Sequence, residues 1–239
     1  MDYQEINYDS YSRNRELEMA AAFPVLMRKV YTWMTLALLI TGFTAYAVAH
    51  SPALLNVIFG NSFMIWVLFG AELLLVIGLS GAINRLSLPV ATGMFVLYSV
   101  INGAVFSTIF FAYSLGSISK VFFITAATFG AMSLFGYFTK SDLSSWGRIL
   151  FMALIGVIIA TIVNIFMKSG ALDTIISYIG VLIFIGLTAY DTQKIKQMFL
   201  TAPDAGEAMQ KYALLGALSL YLDFINLFIY LLRIFGRRD

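Results

Sequence analysis

The stretch "YALLGALSLYLDFINLFIYLLR" at residues 212–233 decides the fold of this chain. Apart from the closing Arg233, Asp223 is its only charged residue. The stretch is long enough to cross a bilayer as a helix, which takes about 20 residues. A charged side chain near the centre of such a helix costs about 2.5–3.5 kcal/mol on insertion scales. We therefore expect Asp223 to face a protein interior and not lipid.

One face of this segment is predicted to be small and polar. The residues on it recur at helical spacings of three and four: Gly216, Ser219, Asp223, Asn226 and Tyr230. Leu, Ile and Phe cover the rest of the helix surface. Such a face can either pack closely against a neighbouring helix or line a wet cavity.

The composition of the whole chain is that of a membrane protein. Of its 239 residues, 60% are hydrophobic and only 12% are charged, whereas soluble domains carry about 25% charged residues. The absence of cysteine excludes disulfides and thiolate sites, and a single histidine, His50, excludes a His-rich metal site. A net charge of +2 gives no indication of a nucleic-acid partner.

Seven apolar runs predict an all-α integral membrane protein with seven transmembrane helices. They cover residues 30–49, 61–84, 86–112, 121–139, 149–167, 174–190 and 212–232. A lipid-exposed backbone must satisfy its hydrogen bonds internally, and runs without polar alternation do so as helices. We expect residues 1–27 to form a cytosolic N-terminal tail, with a short helix in its second half, and residues 28–239 to form the membrane domain.

The distribution of basic residues predicts a cytoplasmic N-terminus. Ten of them fall on the N-terminal side of the membrane: Arg13, Arg15, Arg28, Lys29, Arg85, Lys140, Arg148, Lys194, Lys196 and Lys211. Only Lys120 and Lys168 fall in the loops on the other side. Seven crossings place Arg233 and the following arginines outside, against this rule. A re-entrant last segment is the alternative, but the length of the run favours a crossing.

Asp191 closes the sixth run, in "GLTAYDTQKIK". A carboxylate in the last turn of a helix opposes the helix dipole. Either the helix continues to about residue 199 or Asp191 lies at the membrane interface. In the first case Asp191 and Asp223 would lie at similar depth on consecutive antiparallel helices. Two close carboxylates do not both ionise easily, and their oxygens are the ligands that Ca²⁺ prefers. The pair is therefore a candidate proton-sensitive site that binds Ca²⁺ transiently.

Four further residues in or beside the spans are candidates for roles in ion movement or packing. Glu72, midway along the second run, is either on an ion path or a neutral acid packed between helices. Arg85, at the end of the same run, is either a counter-charge for Asp191 or one of the basic residues that set orientation. Asn102 and Asn164 are predicted to hydrogen-bond between helices.

Two aspartates on neighbouring spans also raise the hypothesis of an intramembrane aspartyl protease. That family places its second aspartate in Gly-x-Gly-Asp, where this chain has "LYLD". It also needs a later Pro-Ala-Leu segment, and the last proline here is Pro203. We therefore expect no enzymatic activity, no catalytic residues and no cofactor.

Three stretches resemble the Bax inhibitor-1 family, the transmembrane Bax-inhibitor-motif proteins, and its bacterial members most. They are "FPVLMRKVYTWMTLALLITGFTAYAVA" at 23–49, "GLTAYDTQKIK" at 186–196 and "ALSLYLDFINLFIYLLRIFG" at 217–236. The resemblance implies six helices surrounding a central C-terminal helix. It also implies that Asp191 and Asp223 form a pH sensor that gates a calcium leak. Arg85 would correspond to a family arginine that latches to the first aspartate, and Glu72 matches a family glutamate.

The resemblance leaves a second function open. Some bacterial relatives resemble modulators of membrane-bound AAA proteases that act through their cytosolic N-terminal tail. In either case the expected location is a bacterial inner (cytoplasmic) membrane, with several crossings and the N-terminus in the cytoplasm. The expected partners are the lipid bilayer, Ca²⁺ and H⁺, together with such a protease in the second case.

Overall fold

The computed structural model describes the backbone of residues 3–201 and 206–237, and the side chains from residue 22 onwards within those ranges. All regular structure in this part of the chain is α-helical. The helices are α1 (Tyr3–Ala49), α2 (Pro52–Phe59), α3 (Ser62–Ala82), α4 (Leu88–Phe106), α5 (Ile109–Ala112), α6 (Leu115–Phe138), α7 (Ser144–Met167), α8 (Gly170–Leu200) and α9 (Glu207–Phe235).

Seven helical segments of the described chain are long and apolar enough to cross a membrane, which confirms the predicted class. They are Ala22–Ala49, Ser62–Ala82, Leu88–Ala112, Leu115–Phe138, Ser144–Met167, Gly170–Leu200 and Glu207–Phe235. The last of them, α9, has 29 residues and so is about 43 Å long, more than the roughly 30 Å of the hydrocarbon core. A continuous helix of that length is long enough to cross the bilayer, as the sequence analysis favoured, and the crossing itself stays a prediction.

Two of the differences from the predicted runs lie in the first and third spans. The first helix, α1, has 47 residues and has no break at residue 27, so the backbone of residues 3–27 continues the first span where a separate short helix was expected. The third span is interrupted between α4 and α5. There the Ser107 hydroxyl donates to the carbonyl of Ala104 (2.7 Å) and the Thr108 hydroxyl to that of Val105 (3.1 Å). Such side-chain hydrogen bonds compete with the backbone hydrogen bonds of the helix.

The interior of the bundle is built around α9. In an 18-residue apolar stretch of α9, 67% of the residues are buried. In the corresponding stretches of α3 and α7 only 6% are buried. The helix α9 packs against α1, α4, α6 and α8, whereas α3 packs chiefly on α4 and α7 chiefly on α8. The helix α9 is therefore held inside the bundle, with α3 and α7 facing outward.

Both ends of α9 are attached to other helices. At its start Lys211 donates to the carbonyl of Leu86 (2.9 Å), and Glu207 accepts from the backbone N–H of Leu88 (3.4 Å). Near its end Arg233 pairs with Asp173 in the first turn of α8 (3.4 Å). We call the end of the bundle at which α9 begins the basic end, because its described side chains include Arg28, Lys29, Arg85, Lys140, Arg148, Lys194, Lys196 and Lys211. The predicted N-in orientation depends on this asymmetry and stays a prediction.

Candidate functional site

Asp191 lies inside a helix, away from its end. The sixth span continues as α8 to Leu200, more than two turns beyond Asp191. This is the first of the two arrangements that the sequence allowed, and it removes the conflict with the helix dipole. Lys194 lies one turn further on, close enough to interact electrostatically with Asp191, and its ammonium lies over the ring of Tyr190, 5.8 Å from the centroid.

Two close contacts define how α8 and α9 face each other. A Cβ at Gly216 of α9 would lie 3.1 Å from the side chain of Ile195, and a Cβ at Gly180 of α8 would lie 2.7 Å from the ring of Tyr230. In this antiparallel register Asp191 lies opposite residues 219–220. Asp223 is then about one turn, or roughly 5 Å, further along the helix axis. The predicted polar face of α9 thus packs closely on α8 at both ends.

The structure brings the two aspartates together across this interface. Asp223 is 4% exposed, and the carboxylates lie close enough to repel each other when both are charged. Within the described residues, the Asp223 Oδ2 atom is buried and has no hydrogen-bond partner. Buried polar atoms nearly always have a partner, so one that lacks it calls for an explanation.

A chain of hydroxyl groups reaches the neighbourhood of this pair from α1. The hydroxyl of Tyr31 lies 2.7 Å from that of Ser133 on α6, which in turn lies 2.9 Å from that of Thr192 on α8. Thr192 and Ser133 are both buried, and Thr192 follows Asp191 directly in the chain. The sequence analysis missed these groups because a single hydroxyl in an apolar span carries no pattern.

Glu72 belongs to a second buried polar cluster, on the side of α9 that faces α1 and α4. Its charge would interact with the phenols of Tyr98 and Tyr221. The Tyr221 hydroxyl lies 2.7 Å from that of Thr41. The Glu72 Oε1 and Asn102 Oδ1 atoms are buried without a hydrogen-bond partner in the part of the chain that the structure describes. Two of these positions, Glu72 and Asn102, were singled out from the sequence.

The two asparagines do not make the interhelical bonds that were predicted from the sequence. The amide of Asn102 donates to the Tyr98 hydroxyl, four residues earlier on the same helix (3.2 Å). The side-chain oxygen of Asn164 accepts from the backbone N–H of Ser169 (3.0 Å), in the turn between α7 and α8. Within the described residues, both asparagines therefore bond to local groups.

Arg85 lies in solvent at the turn between α3 and α4. Among residues 22–201 and 206–237 the ion pairs are Lys211–Glu207 and Arg233–Asp173. The latch between Arg85 and Asp191 is therefore not formed in this conformation. The turn that carries Arg85 is instead bound to the start of α9, where the Tyr212 hydroxyl donates to Asn84 (3.1 Å).

Seven apolar spans and a buried aspartate in the innermost helix define a multi-pass helical membrane protein. Residues 24–239 match the family described as "Inhibitor of apoptosis-promoting Bax1", and the chain belongs to this Bax inhibitor-1 family. It is 50% identical over 220 residues to the inner membrane protein YbhL of Escherichia coli K12, covering 91% of this chain and 94% of that protein. It is 44% identical over 212 residues to a protein of Borreliella burgdorferi (89% and 91% covered). It is also 39% identical over 213 residues to a membrane protein of Streptococcus pyogenes (88% and 92% covered).

Proposed function

We propose that this protein is a pH-sensitive calcium-leak channel or transporter, gated by the pair Asp191 and Asp223. The observation that carries the proposal is the unpartnered Oδ2 of Asp223, buried beside the carboxylate of Asp191. An acceptor that is left without a donor inside a packed interface is explained if its partner is a proton or a passing cation. In this proposal the pair acts as a gate and not as a catalytic dyad.

The chemistry of the pair suits a transient ion. Two carboxylates repel strongly where water is excluded, and either a proton or a cation relieves that repulsion. Ca²⁺ prefers oxygen ligands but takes six to eight of them. The described residues contain no cluster of three or more His, Cys, Asp or Glu that could hold a metal. A site with two protein carboxylates would therefore bind Ca²⁺ in passing, as cargo.

The packing around the pair suggests how its charge would move the helices. Since α8 and α9 touch closely at Gly216 and Gly180, repulsion between Asp191 and Asp223 acts directly on a tight interface. The hydroxyl chain from Thr192 would pass the movement to α6 and α1. Because loss of the proton creates the repulsion and frees the oxygens for cations, we expect calcium flux to rise with pH.

Glu72 and Arg85 have supporting roles in this proposal. Glu72, whose buried oxygen has no partner among the described residues and whose charge would interact with Tyr98 and Tyr221, supplies a third carboxylate along an ion path through the bundle. Arg85 would latch to Asp191 only in a conformation in which the α3–α4 turn leaves the start of α9. The proposed location is the inner membrane with the N-terminus in the cytoplasm, supported by the charge of the basic end and by the similarity to an inner membrane protein of Escherichia coli.

The direct test is Ca²⁺ flux into proteoliposomes that contain a calcium dye, measured between about pH 5.5 and pH 8.5. Wild type is compared with Asp191→Asn and Asp223→Asn, which keep the shape of the side chain but cannot ionise. We expect flux in wild type to rise with pH and both variants to lose this dependence. Asp173→Asn, at the other end of α8, is the control and should keep the wild-type profile.

Flux that is independent of the protein and of pH would contradict the calcium proposal. A pH response that persists in both asparagine variants would show instead that another group is the sensor. Glu72→Gln then distinguishes the third carboxylate from the pair, since it should lower flux at every pH without flattening the profile.

We also propose, as a second function, that the N-terminal segment engages a membrane-bound AAA protease. The observation in favour is that α1 begins at Tyr3, well before the first apolar run begins at residue 30. Deletion of residues 1–22 separates the two functions. Loss of protease modulation with intact calcium flux would support a partner role for this segment, whereas unchanged modulation would contradict it.

A further inference from the structure

A groove of about 570 Å³ opens on the side of the bundle between α1 and α6. Its walls are Met34 and Leu38 of α1 and Ala126 and Gly130 of α6, and Phe224 of α9 contributes to its lining. It lies wholly on membrane-spanning segments. Whatever occupies it must therefore be soluble in the hydrocarbon core of the bilayer.

The groove has the dimensions of a single acyl chain. On α6 its lining extends from Phe122 to Phe138, which is about 24 Å along the helix axis. Half of the hydrocarbon core of a bilayer, the depth of one leaflet, is about 15 Å. The groove is thus long enough to hold one lipid tail from the interface to the middle of the membrane.

The two ends of the groove differ in polarity. The hydroxyls of Tyr31 and Ser133, bonded to each other, and the ring of Tyr137 lie toward the basic end. The other end is formed by Phe122 and Leu38. A lipid in the groove would therefore place its tail toward Phe122 and its headgroup toward the basic end.

Basic side chains surround this polar end. Lys196 donates to the carbonyl of Tyr137 (2.7 Å), and its ammonium lies 5.1 Å from the centroid of the Tyr137 ring. Arg28, one turn before Tyr31, and Lys140, two residues after Phe138, are both exposed. The acid that follows in the chain, Asp142, is engaged with Ser144 and Arg148. Among the side chains that the structure describes, the charge around this end of the groove is therefore positive.

From this charge complementarity we propose that the groove binds an anionic phospholipid, with one acyl chain between α1 and α6 and the phosphate at Arg28 and Lys140. A basic residue near an anionic headgroup contributes affinity, while the apolar walls accept the tail. The groove does not include the carboxylate pair, although Tyr31 and Ser133 at its polar end belong to the hydroxyl chain that reaches Thr192. The proposal does not rest on the calcium function.

The test is native mass spectrometry of the delipidated full-length protein in detergent, titrated separately with dioleoyl phosphatidylglycerol and dioleoyl phosphatidylcholine. We expect one tightly held phosphatidylglycerol and much weaker retention of phosphatidylcholine. Gly130→Phe should reduce phosphatidylglycerol binding about tenfold or more, because a Cβ at Gly130 has open space around it and the ring would fill the groove.

The matched control is Gly156→Phe on α7, where a Cβ also meets nothing within 4 Å but which does not line this groove. It should bind lipid as wild type does. The double variant Arg28→Gln with Lys140→Gln changes only exposed side chains, so its folding is not at risk. It should lower the preference for phosphatidylglycerol by about thirtyfold.

Three results would overturn the proposal. Equal retention of the two lipids by wild type would exclude a site for an anionic headgroup. Retention of phosphatidylglycerol by Gly130→Phe at the wild-type level would exclude the groove. If the protein were dimeric and the dimers bound no phosphatidylglycerol, a second copy of the chain would cover the groove in place of a lipid.

Discussion

The fifth and seventh spans, α7 and α9, are both apolar helices, yet they differ almost completely in burial. In the 18-residue apolar stretch of α9, 67% of the residues are buried, whereas in that of α7 only 6% are. Yet α7 is the more hydrophobic of the two helices. In a water-soluble protein the more apolar segment would be expected inside. In a bilayer lipid is as apolar as leucine, so hydrophobicity no longer drives a helix inward. Small and polar groups are what mark the interior helix.

The largest effect should come from adding bulk where interior helices touch. At Gly136 of α6 a Cβ would collide with the backbone carbonyl of Ala189 on α8, whereas at Gly156 of α7 it would meet nothing within 4 Å. We expect Gly136→Val to lower the free energy of unfolding by about 3 kcal/mol or more and Gly156→Val to leave it unchanged. Thermal unfolding of both variants in the same detergent measures the difference. Equal unfolding midpoints for the two variants would contradict the expected difference between interior and outer helices.

A charge should be tolerated in α9 and rejected in α7. Ile159, near the middle of α7, is 57% exposed and faces lipid. Ile159→Asp should cost about 2.5–3.5 kcal/mol of insertion free energy, which a membrane-insertion assay of the isolated span measures. Asp223→Asn is the companion variant and should insert and fold as wild type. Efficient insertion of Ile159→Asp would contradict this expected cost.

Removal of a single hydroxyl should also destabilise the protein more in the interior than in the outer helix α7, but the difference in stability should be smaller. Thr192 bonds to Ser133 on another helix (2.9 Å), while Thr161 of α7 bonds only to the carbonyl of Val157 in its own helix (2.8 Å). Thr192→Val should destabilise the protein by about 1 kcal/mol. Thr161→Val removes no contact between helices and should be nearly neutral. The same loss of stability in both variants would show that the hydroxyl chain does not couple the helices.

The smallest effect concerns a carboxylate outside the bundle, Asp142, in the loop before α7. The hydroxyl and the backbone N–H of Ser144 hydrogen-bond to it and hold its pKa below its usual value. Its contribution to stability is therefore present above the pKa of an unfolded aspartate and is lost as the pH falls through the lower folded value. An NMR titration of labelled aspartate should find it still ionised when ordinary aspartates take up protons. Ser144→Ala should move its pKa back up, and an unchanged pKa would exclude the hydroxyl as the cause.

Much of the fold was predictable because a bilayer imposes a length and an apolar character on each span. All seven runs are helices, and the interior position of Asp223 followed from the cost of placing a charge in lipid. The face of α9 with Gly216 and Tyr230 packs on α8 as a helical period requires. The ends of the helices were less predictable, since Lys194 and Lys196 resemble the boundary of a span although α8 continues past them.

By itself the sequence determined that this chain is a helical membrane protein with one carboxylate in the middle of its last span, because apolar length and the rarity of charge in lipid are local properties. Only the tertiary structure decided that Asp191 and Asp223 share an interface, that Thr192 connects to Tyr31 through Ser133, and that Glu72 lies beside Tyr221. These contacts depend on the register and rotation of packed helices. In a bilayer those are set by the fit of small and polar groups across helices, which no pattern within a single span encodes.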